Sequence, residues 1–317
     1  MRIFTRKRLV PAGWVAAFLA VFAAIGAVSR PTPAVAAAPL PFLPWYWSMV
    51  VSPSDPNLLV LGTSNGLYRS SDGGKTWTPT GPKGVITTSL VQSGSSIVAG
   101  GVPGTATATA RPWVRKGSFR TAPDGSAVLA RSTDGGTSWH ELHPRGLPKI
   151  SVQALAVDPA NNTALYALLN TGALYRSSDG ARSFQLVSSK LGVAPWALAI
   201  TKNSHLVAGD MDSGSYVSAN GKAWQRAPFT DSQGGRMVME YAVQPTDLTR
   251  VLMTSRGVQM STDRGKTWHF VLKSDVMFGP VAWAPSLSGV AYVVGFDRSI
   301  WRSSDAGKTW TNVSQGL

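Results

Sequence analysis

The chain has no cysteine, two glutamates and four histidines in 317 residues. The missing cysteine excludes disulfides, thiol nucleophiles and thiolate-bound metals together. His140, His143, His205 and His269 show no metal-ligand spacing. A Gly-x-Ser-x-Gly elbow is absent, as are the glycine motifs that cradle phosphates or dinucleotides. After residue 43 no stretch keeps a 3.6-residue apolar period over several turns, which argues against a helical fold. What remains is 44% hydrophobic residues, 32 glycines and 21 prolines. That composition can bury a sizeable core and make many turns.

Positive charge is in excess, with 30 Lys and Arg against 16 Asp and Glu. Arg2, Arg6, Lys7 and Arg8 precede an apolar run from Val10 to Val28, and Ala34-Val35-Ala36 supplies a small-residue cleavage site. This is the pattern of a signal peptide over residues 1–36, followed by a Pro/Ala-rich tether at 37–43. An uncleaved anchor is the rival reading, because 19 mostly apolar residues sit at the edge of what spans a bilayer. Cleavage after Ala36 removes five cations and no acids, so the formal charge falls from +14 to +9. An exported, cysteine-free chain points to a bacterial or archaeal envelope or secreted location. Its basic surplus suits acidic glycans, cell-wall polymers, lipid headgroups or acidic protein faces, or else serves solubility alone. Export and the absence of a recognition helix or aromatic RNA-binding signature argue against nucleic acid.

A phrase of the form Ser-x-Asp-x-Gly-x-Thr-Trp returns along the rest of the chain. It is clearest at Ser70 to Trp77, Ser261 to Trp268 and Ser303 to Trp310, with a fourth copy from Ser132 to Trp139. A fifth keeps Ser177, Asp179, Ser183 and Phe184 but carries Ala181 in place of Gly, and a sixth is shortened to Ser218, Asn220, Gly221 and Trp224. From Asp72 through Asp134, Asp179, Asn220 and Asp263 to Asp305, the steps are 62, 45, 41, 43 and 42 residues. Short apolar runs such as Leu58 to Leu61 and Gly66 to Arg69 precede each phrase. The unit reads as three strands, a turn made by the phrase, and a fourth strand beginning at its Trp or Phe.

Four-stranded units of roughly 40 to 45 residues with a Trp signature build radial propellers. The chain resembles the Asp-box (bacterial neuraminidase repeat) propellers, which include sialidases, some glycan hydrolases, sortilin-type receptors and photosystem assembly factors. The expected fold is all-β, a six-bladed propeller of four-stranded antiparallel blades over residues 44–317, with seven blades as the lesser alternative. Ring closure is expected by packing of the first unit against the last, unless Pro41 to Trp45 adds a strand to the final blade.

Antiparallel order puts the boxes at the opposite end from the turns between second and third strands. Asp72, Asp134, Asp179, Asn220, Asp263 and Asp305 resemble a metal or catalytic series. They read instead as turn residues whose oxygens accept local hydrogen bonds, with Trp packed between sheets. No metal or cofactor is expected. The resemblance likewise implies boxes placed away from any active site.

The long step from Asp72 to Asp134 implies an insertion on the other face, from Gly101 to Gly125. Arg111, Trp113, Arg115, Phe119 and Arg120 interleave cations with rings there, as an anionic or sugar-like ligand requires. A disordered loop is the equal alternative. The same face is expected to carry Asp210, Asp212, Asp231, Arg236, Arg256, Lys273, Asp275, Asp297 and Arg298. Glu240 stands out because Glu141 is the chain's other glutamate and because Ser48, Ala154 and Ala197 fill the matching positions. It is read either as a general acid with a raised pKa or as a partner of Arg236.

A glycosidase of the common kind needs two carboxyls, and Glu240 with Asp210, Asp212 or Asp231 could supply them. A sialidase, by resemblance, needs three arginines, a Tyr with a Glu partner, an Asp acid and a Phe-Arg-Ile-Pro motif. The nearest string, Phe119-Arg120-Thr121-Ala122-Pro123, is one residue too long, and Tyr292 has no Glu after Glu240. The favoured expectation is a monomeric, non-catalytic exported propeller. It binds a protein or an anionic glycan opposite the boxes, through Arg111, Trp113, Arg115, Arg120, Arg236, Arg256 and Arg298. The alternative is a hydrolase or lyase acting on an extracellular polysaccharide, not a sialidase.

Overall fold

The computed structural model describes residues 46–103, 128–189, 191, 195–210 and 213–313. The expected signal segment and tether, and most of the inserted loop, lie outside the described residues.

Strands form wherever a short apolar run is closed by Gly, Asn, Asp or Pro, and they pair antiparallel with their sequence neighbours. The first sheet is β1 (Tyr46–Val51), β2 (Leu59–Thr63), β3 (Gly66–Ser70) and β4 (Thr78–Thr80). The second is β5 (Val85–Ser93), β6 (Ser96–Pro103), β7 (Val128–Ser132) and β8 (His140–Leu142). The third is β9 (Val152–Asp158), β10 (Asn161–Leu169), β11 (Leu174–Ser177) and β12 (Gln185–Ser188). The fourth is β13 (Pro195–Ile200), β14 (Leu206–Asp210), β15 (Ser215–Ser218) and β16 (Gln225–Ala227). A last sheet has six strands, β17 (Glu240–Gln244), β18 (Asp247–Ser261), β19 (His269–Trp283), β20 (Ala291–Gly295), β21 (Ile300–Ser303) and β22 (Thr311–Asn312). The fourth strands begin one residue after the box Trp or Phe rather than on it, because that ring is turned into the core.

The sheets are arranged as a propeller. Every residue of β1 is buried, whereas the outer β4 is half-buried to exposed. An inner strand touches a neighbouring sheet on each face, so it reads as a continuous apolar run, not an alternation. Apolar clusters fill the spaces between sheets. Val50, Val60 and Leu67 pack with Leu90, Ile97 and Ala99 of the second sheet. Val98 and Leu129 pack with Leu155 and Leu165 of the third. Tyr166 and Leu168 pack with Leu198 and Leu206 of the fourth, and Ala197 and Val207 with Tyr241 and Met253 of the last.

The first sheet also meets the end of the last. Met49, Leu59, Leu61 and Trp77 share a cluster with Ala282, Val290 and Val294. At this join a Cβ on Gly279 would lie 2.6 Å from the Tyr46 carbonyl oxygen, a contact only glycine permits.

Candidate functional site

At each box the side chains close a turn on itself. In the last, Ser303 Oγ donates to Asp305 at 2.8 Å, and the Asp carboxylate accepts from the Thr309 amide at 2.9 Å and the Thr309 hydroxyl at 2.6 Å. Asp72, Asp134, Asp179 and Asp263 make the same contacts. Asn220 accepts from the Lys222 and Ala223 amides at 2.9 and 3.1 Å. The hydroxyl and amide of Ser138 hold the Asp134 carboxyl down at about 2, and those of Thr309 do the same for Asp305. Oxygens engaged in this way have little capacity left for a metal or a substrate.

Each box also locks onto the preceding repeat unit. Trp77, Trp139, Phe184, Trp224 and Trp268 join clusters between sheets, and Trp310 joins one built within the six-stranded sheet. The indole N–H groups of Trp77, Trp139, Trp224 and Trp310 donate to the carbonyl of their own box glycine at 2.9 to 3.1 Å. Arginines one repeat unit back donate to box carbonyls. Arg69 Nε reaches the Gly135 oxygen at 2.9 Å, Arg131 reaches that of Gly180, and Arg250 reaches that of Ala306 at 3.5 Å. Sequence reasoning missed this use of basic residues, although their place beside a box was the available signal.

Opposite the boxes, the turns between second and third strands meet the connections between sheets. Phe229 and Arg236, from the β16–β17 connection, lie against Gly214 of the β14–β15 turn. Arg226, Pro228, Phe229, Thr230 and Arg236 line a cleft of about 290 Å³, and both arginines are exposed. Arg236 was among the sequence candidates and Arg226 was not. Arg256 lies 3.6 Å from the buried carboxylate of Asp231. Arg298 is exposed in the β20–β21 turn with φ of 70°. Lys273 stands over the Phe270 ring at 5.7 Å.

Three acidic candidates of this face, Asp210, Asp231 and Asp297, serve their own loops, whereas Asp275 is exposed in β19. Asp210 accepts from the amide and hydroxyl of Ser213 and from the Gly214 amide. Asp231 accepts from the Gln233 and Gly235 amides at 2.9 and 2.8 Å. Asp297 accepts from the Ser299 amide and hydroxyl. Arg111, Trp113, Arg115, Arg120 and Asp212 lie outside the described residues.

Glu240 does not pair with Arg236, and its carboxyl has the raised pKa that the other expectation required. Its carboxylate accepts from the Ser48 hydroxyl at 2.5 Å and from the Val281 amide at 2.9 Å, and no contact with Arg236 is found among the described residues. Ser48 and Ser89 use their hydroxyls in the same manner, accepting from the Leu90 and Leu155 amides of the next inner strand at 3.0 and 2.9 Å. Glu240 fills the matching position with a longer side chain, so besides the Val281 amide of the next inner strand it also reaches Ser48 of the one after. Burial pushes its carboxyl up to about 8, against the opposing pull of the Ser48 and Val281 hydrogen bonds.

Glu240 belongs to the wall of an axial cavity of about 440 Å³ lined by β1, β5, β9, β13, β17 and β19. The cavity runs from Trp47 and Trp196, at the start of their strands, to Pro53, Pro159, Pro245 and Pro285 just past the strand ends. Trp47, Trp196 and Met239 pack together at the first end, the two indoles 5.2 Å apart and tilted by 58°.

The pairing of box turns with radially packed four-stranded sheets coincides with matches to family models. Residues 68–79 and 259–270 match the BNR/Asp-box repeat, and residues 300–313 match the BNR-Asp box repeat. The chain is a BNR/Asp-box repeat propeller. Among known proteins, this BNR propeller is 26% identical over 214 residues to a xyloglucanase of Hypocrea jecorina. The match covers 61% of this chain and 23% of that enzyme, so the propeller spans about a quarter of its curated relative. Among solved structures it is similar to YCF48 bound to a D1 peptide, with a TM-score of 0.53 and 20% identity over 89% of this chain and 85% of that one. It is also similar to the GH74 xyloglucanase of Xanthomonas campestris, with a TM-score of 0.57 and 17% identity over 89% of this chain and 46% of that one. At these identities the structural likeness is one of fold.

Proposed function

We propose that the chain is an exported, six-bladed BNR propeller that binds an acidic segment of a protein partner at the face opposite its boxes, without catalysis. The blade count rests on strand register. β18 pairs with β17 through Asp247 to Thr254 and with β19 through Arg256 to Met260. β19 in turn pairs with β18 through His269 to Met277 and with β20 from Phe278 onward. Each 15-residue strand therefore serves as two consecutive blade strands, and the six-stranded sheet resolves into two blades of four.

The carrying observation for binding is the contrast of charges on that face. Arg226 and Arg236 are exposed around the Phe229 cleft, whereas Asp210, Asp231 and Asp297 are engaged with their own loops and the exposed Asp275 of β19 is not part of the cleft's lining. Exposed guanidinium groups beside a ring suit a carboxylate-bearing segment. The fold shared with YCF48 bound to a peptide supports a protein partner. The anionic glycan expected from the sequence presents the same charge and is an outcome of the test. Poly-glutamate and polygalacturonate, titrated into the protein, are the probes. Poly-glutamate is expected to bind in a salt-sensitive manner and to weaken at least tenfold in Arg226→Glu/Arg236→Glu. Tighter binding of polygalacturonate would replace the protein partner by a glycan, and binding unchanged by the double substitution would refute the site.

The xyloglucanase match favours a second reading, hydrolysis of a polysaccharide. Glycoside hydrolysis requires two carboxyls flanking a substrate. Glu240 lies in the axial cavity and both Asp210 and Asp231 are tied to their turns. Release of reducing ends from xyloglucan, abolished by Glu240→Gln or Asp231→Asn, would establish the enzyme and displace the binding reading.

A further inference from the structure

We propose that the axial cavity is a binding site for a small organic ammonium compound, an apolar amine whose nitrogen docks at the Glu240 carboxylate. This does not depend on the face proposed above for a protein partner, and either can fail alone.

The walls set the ligand's character. Leu90, Leu155, Leu198 and Ala156 give them an apolar surface, and polar groups are few. An apolar cavity with a small number of placed polar groups is the usual form of a small-molecule site. Among the lining residues the ionisable ones are Glu240 and Tyr241. The Tyr241 hydroxyl donates to Ser215 at 2.8 Å, away from the carboxylate. Among the described residues no Lys, Arg, His or Asp contributes to the wall, so the described wall supplies no counter-charge of its own. Glu240 is half-buried and is one of the residues lining the cavity.

At neutral pH a carboxyl in such a place stays mostly neutral until a cation arrives, because charging it alone in an apolar wall is costly. A docked ammonium provides the missing opposite charge, with Ser89, Thr88 and Gln153 as further polar groups of the wall. Trp47 and Trp196 add aromatic faces at one end, which favour organic cations over anions. A structural brace, by contrast, needs only the Ser48 and Val281 bonds and gains nothing from a ligand.

Binding of a cation to the ionised form of a group that titrates near 8 must release a proton at neutral pH. Hexylammonium is the probe and 1-hexanol its neutral isostere. Such an amine stays cationic well above this range, as lysine does with a pKa of about 10.4. Calorimetry at pH 7, in two buffers of different ionisation enthalpy, is expected to show close to one proton released per hexylammonium bound. The preference for hexylammonium over 1-hexanol is expected to be at least tenfold at pH 8.5 and to shrink by about tenfold per pH unit below 8. Glu240→Gln is expected to bring hexylammonium down to the level of 1-hexanol, while its melting profile reports that it folds. The proton count on the unmodified chain stands as a test even if that variant does not fold. No binding, equal binding of the two probes, no proton release, or unchanged affinity in the folded Glu240→Gln variant would each overturn the proposal.

Discussion

Glu240 holds a proton in the folded chain that it gives up when unfolded. Its folded value is about 8 and the ordinary one 4.5, so the folded state binds more protons between these limits. Stability from this group is therefore greatest below pH 4.5 and declines through that window, by about 1.4 kcal/mol per unit. The box aspartates act with the opposite sign. Asp134 and Asp305 are lowered to about 2 from 3.8, so their contribution is present above 3.8 and is lost as pH falls toward 2. Glu240→Gln is expected to flatten the decline between pH 5.5 and 8 while leaving the acid limb in place. Urea unfolding at several pH values measures both, and an unchanged slope would contradict the buried carboxyl. The sequence singled out Glu240 by rarity and offered either a raised pKa or a pairing with Arg236. Ser48, 192 residues away in sequence, came into reach only through the ring.

The five full-length boxes have two consecutive left-handed residues, as at Gly135 and Gly136 with φ of 68° and 85°, and the shortened one has Gly221 alone. Where glycine is replaced the backbone keeps its course. Ala181, Arg264 and Ala306 take φ of 65°, 67° and 63°. Such a residue costs about 1–2 kcal/mol relative to glycine. At Ala181 a methyl buried against Phe184 and Leu155 offsets part of this. Ala306 is only half-buried, so Ala306→Gly is expected to stabilise by about 0.5–1 kcal/mol. Asp305→Ala, which leaves the Thr309 and Lys308 amides without their acceptor, is expected to cost about 1–2 kcal/mol. Thermal melts read both, and opposite signs would refute the turn's role as described. These turns were legible in the sequence because their contacts run over at most four residues, from Ser303 to Gly307 and from Asp305 to Thr309. The arginines were not, since Arg131 meets Gly180 from 49 residues away.

The ring is held by the cluster that joins the first sheet to the end of the last. Leu61 is fully buried there, among Met49, Trp77, Ala282 and Val294. Leu61→Ala should destabilise by about 2–5 kcal/mol, because the transfer cost and a cavity add where the walls belong to separate sheets. Urea unfolding checks this, and a loss below about 1 kcal/mol would mean that closure does not depend on the cluster. First-to-last packing was an expectation of the repeat, and the cluster names residues that make it, while the alternative strand from Pro41 to Trp45 lies outside the described residues.

Box turns, strand runs and the radial arrangement followed from residue order, because each rests on hydrogen bonds and glycine conformations within one unit or on repetition of that unit. The cavity, the neighbours of Glu240 and the charge contrast opposite the boxes depend on which distant strands converge. Desolvation is a property of everything packed around a group, and in this propeller the groups around Glu240 come from opposite ends of the chain.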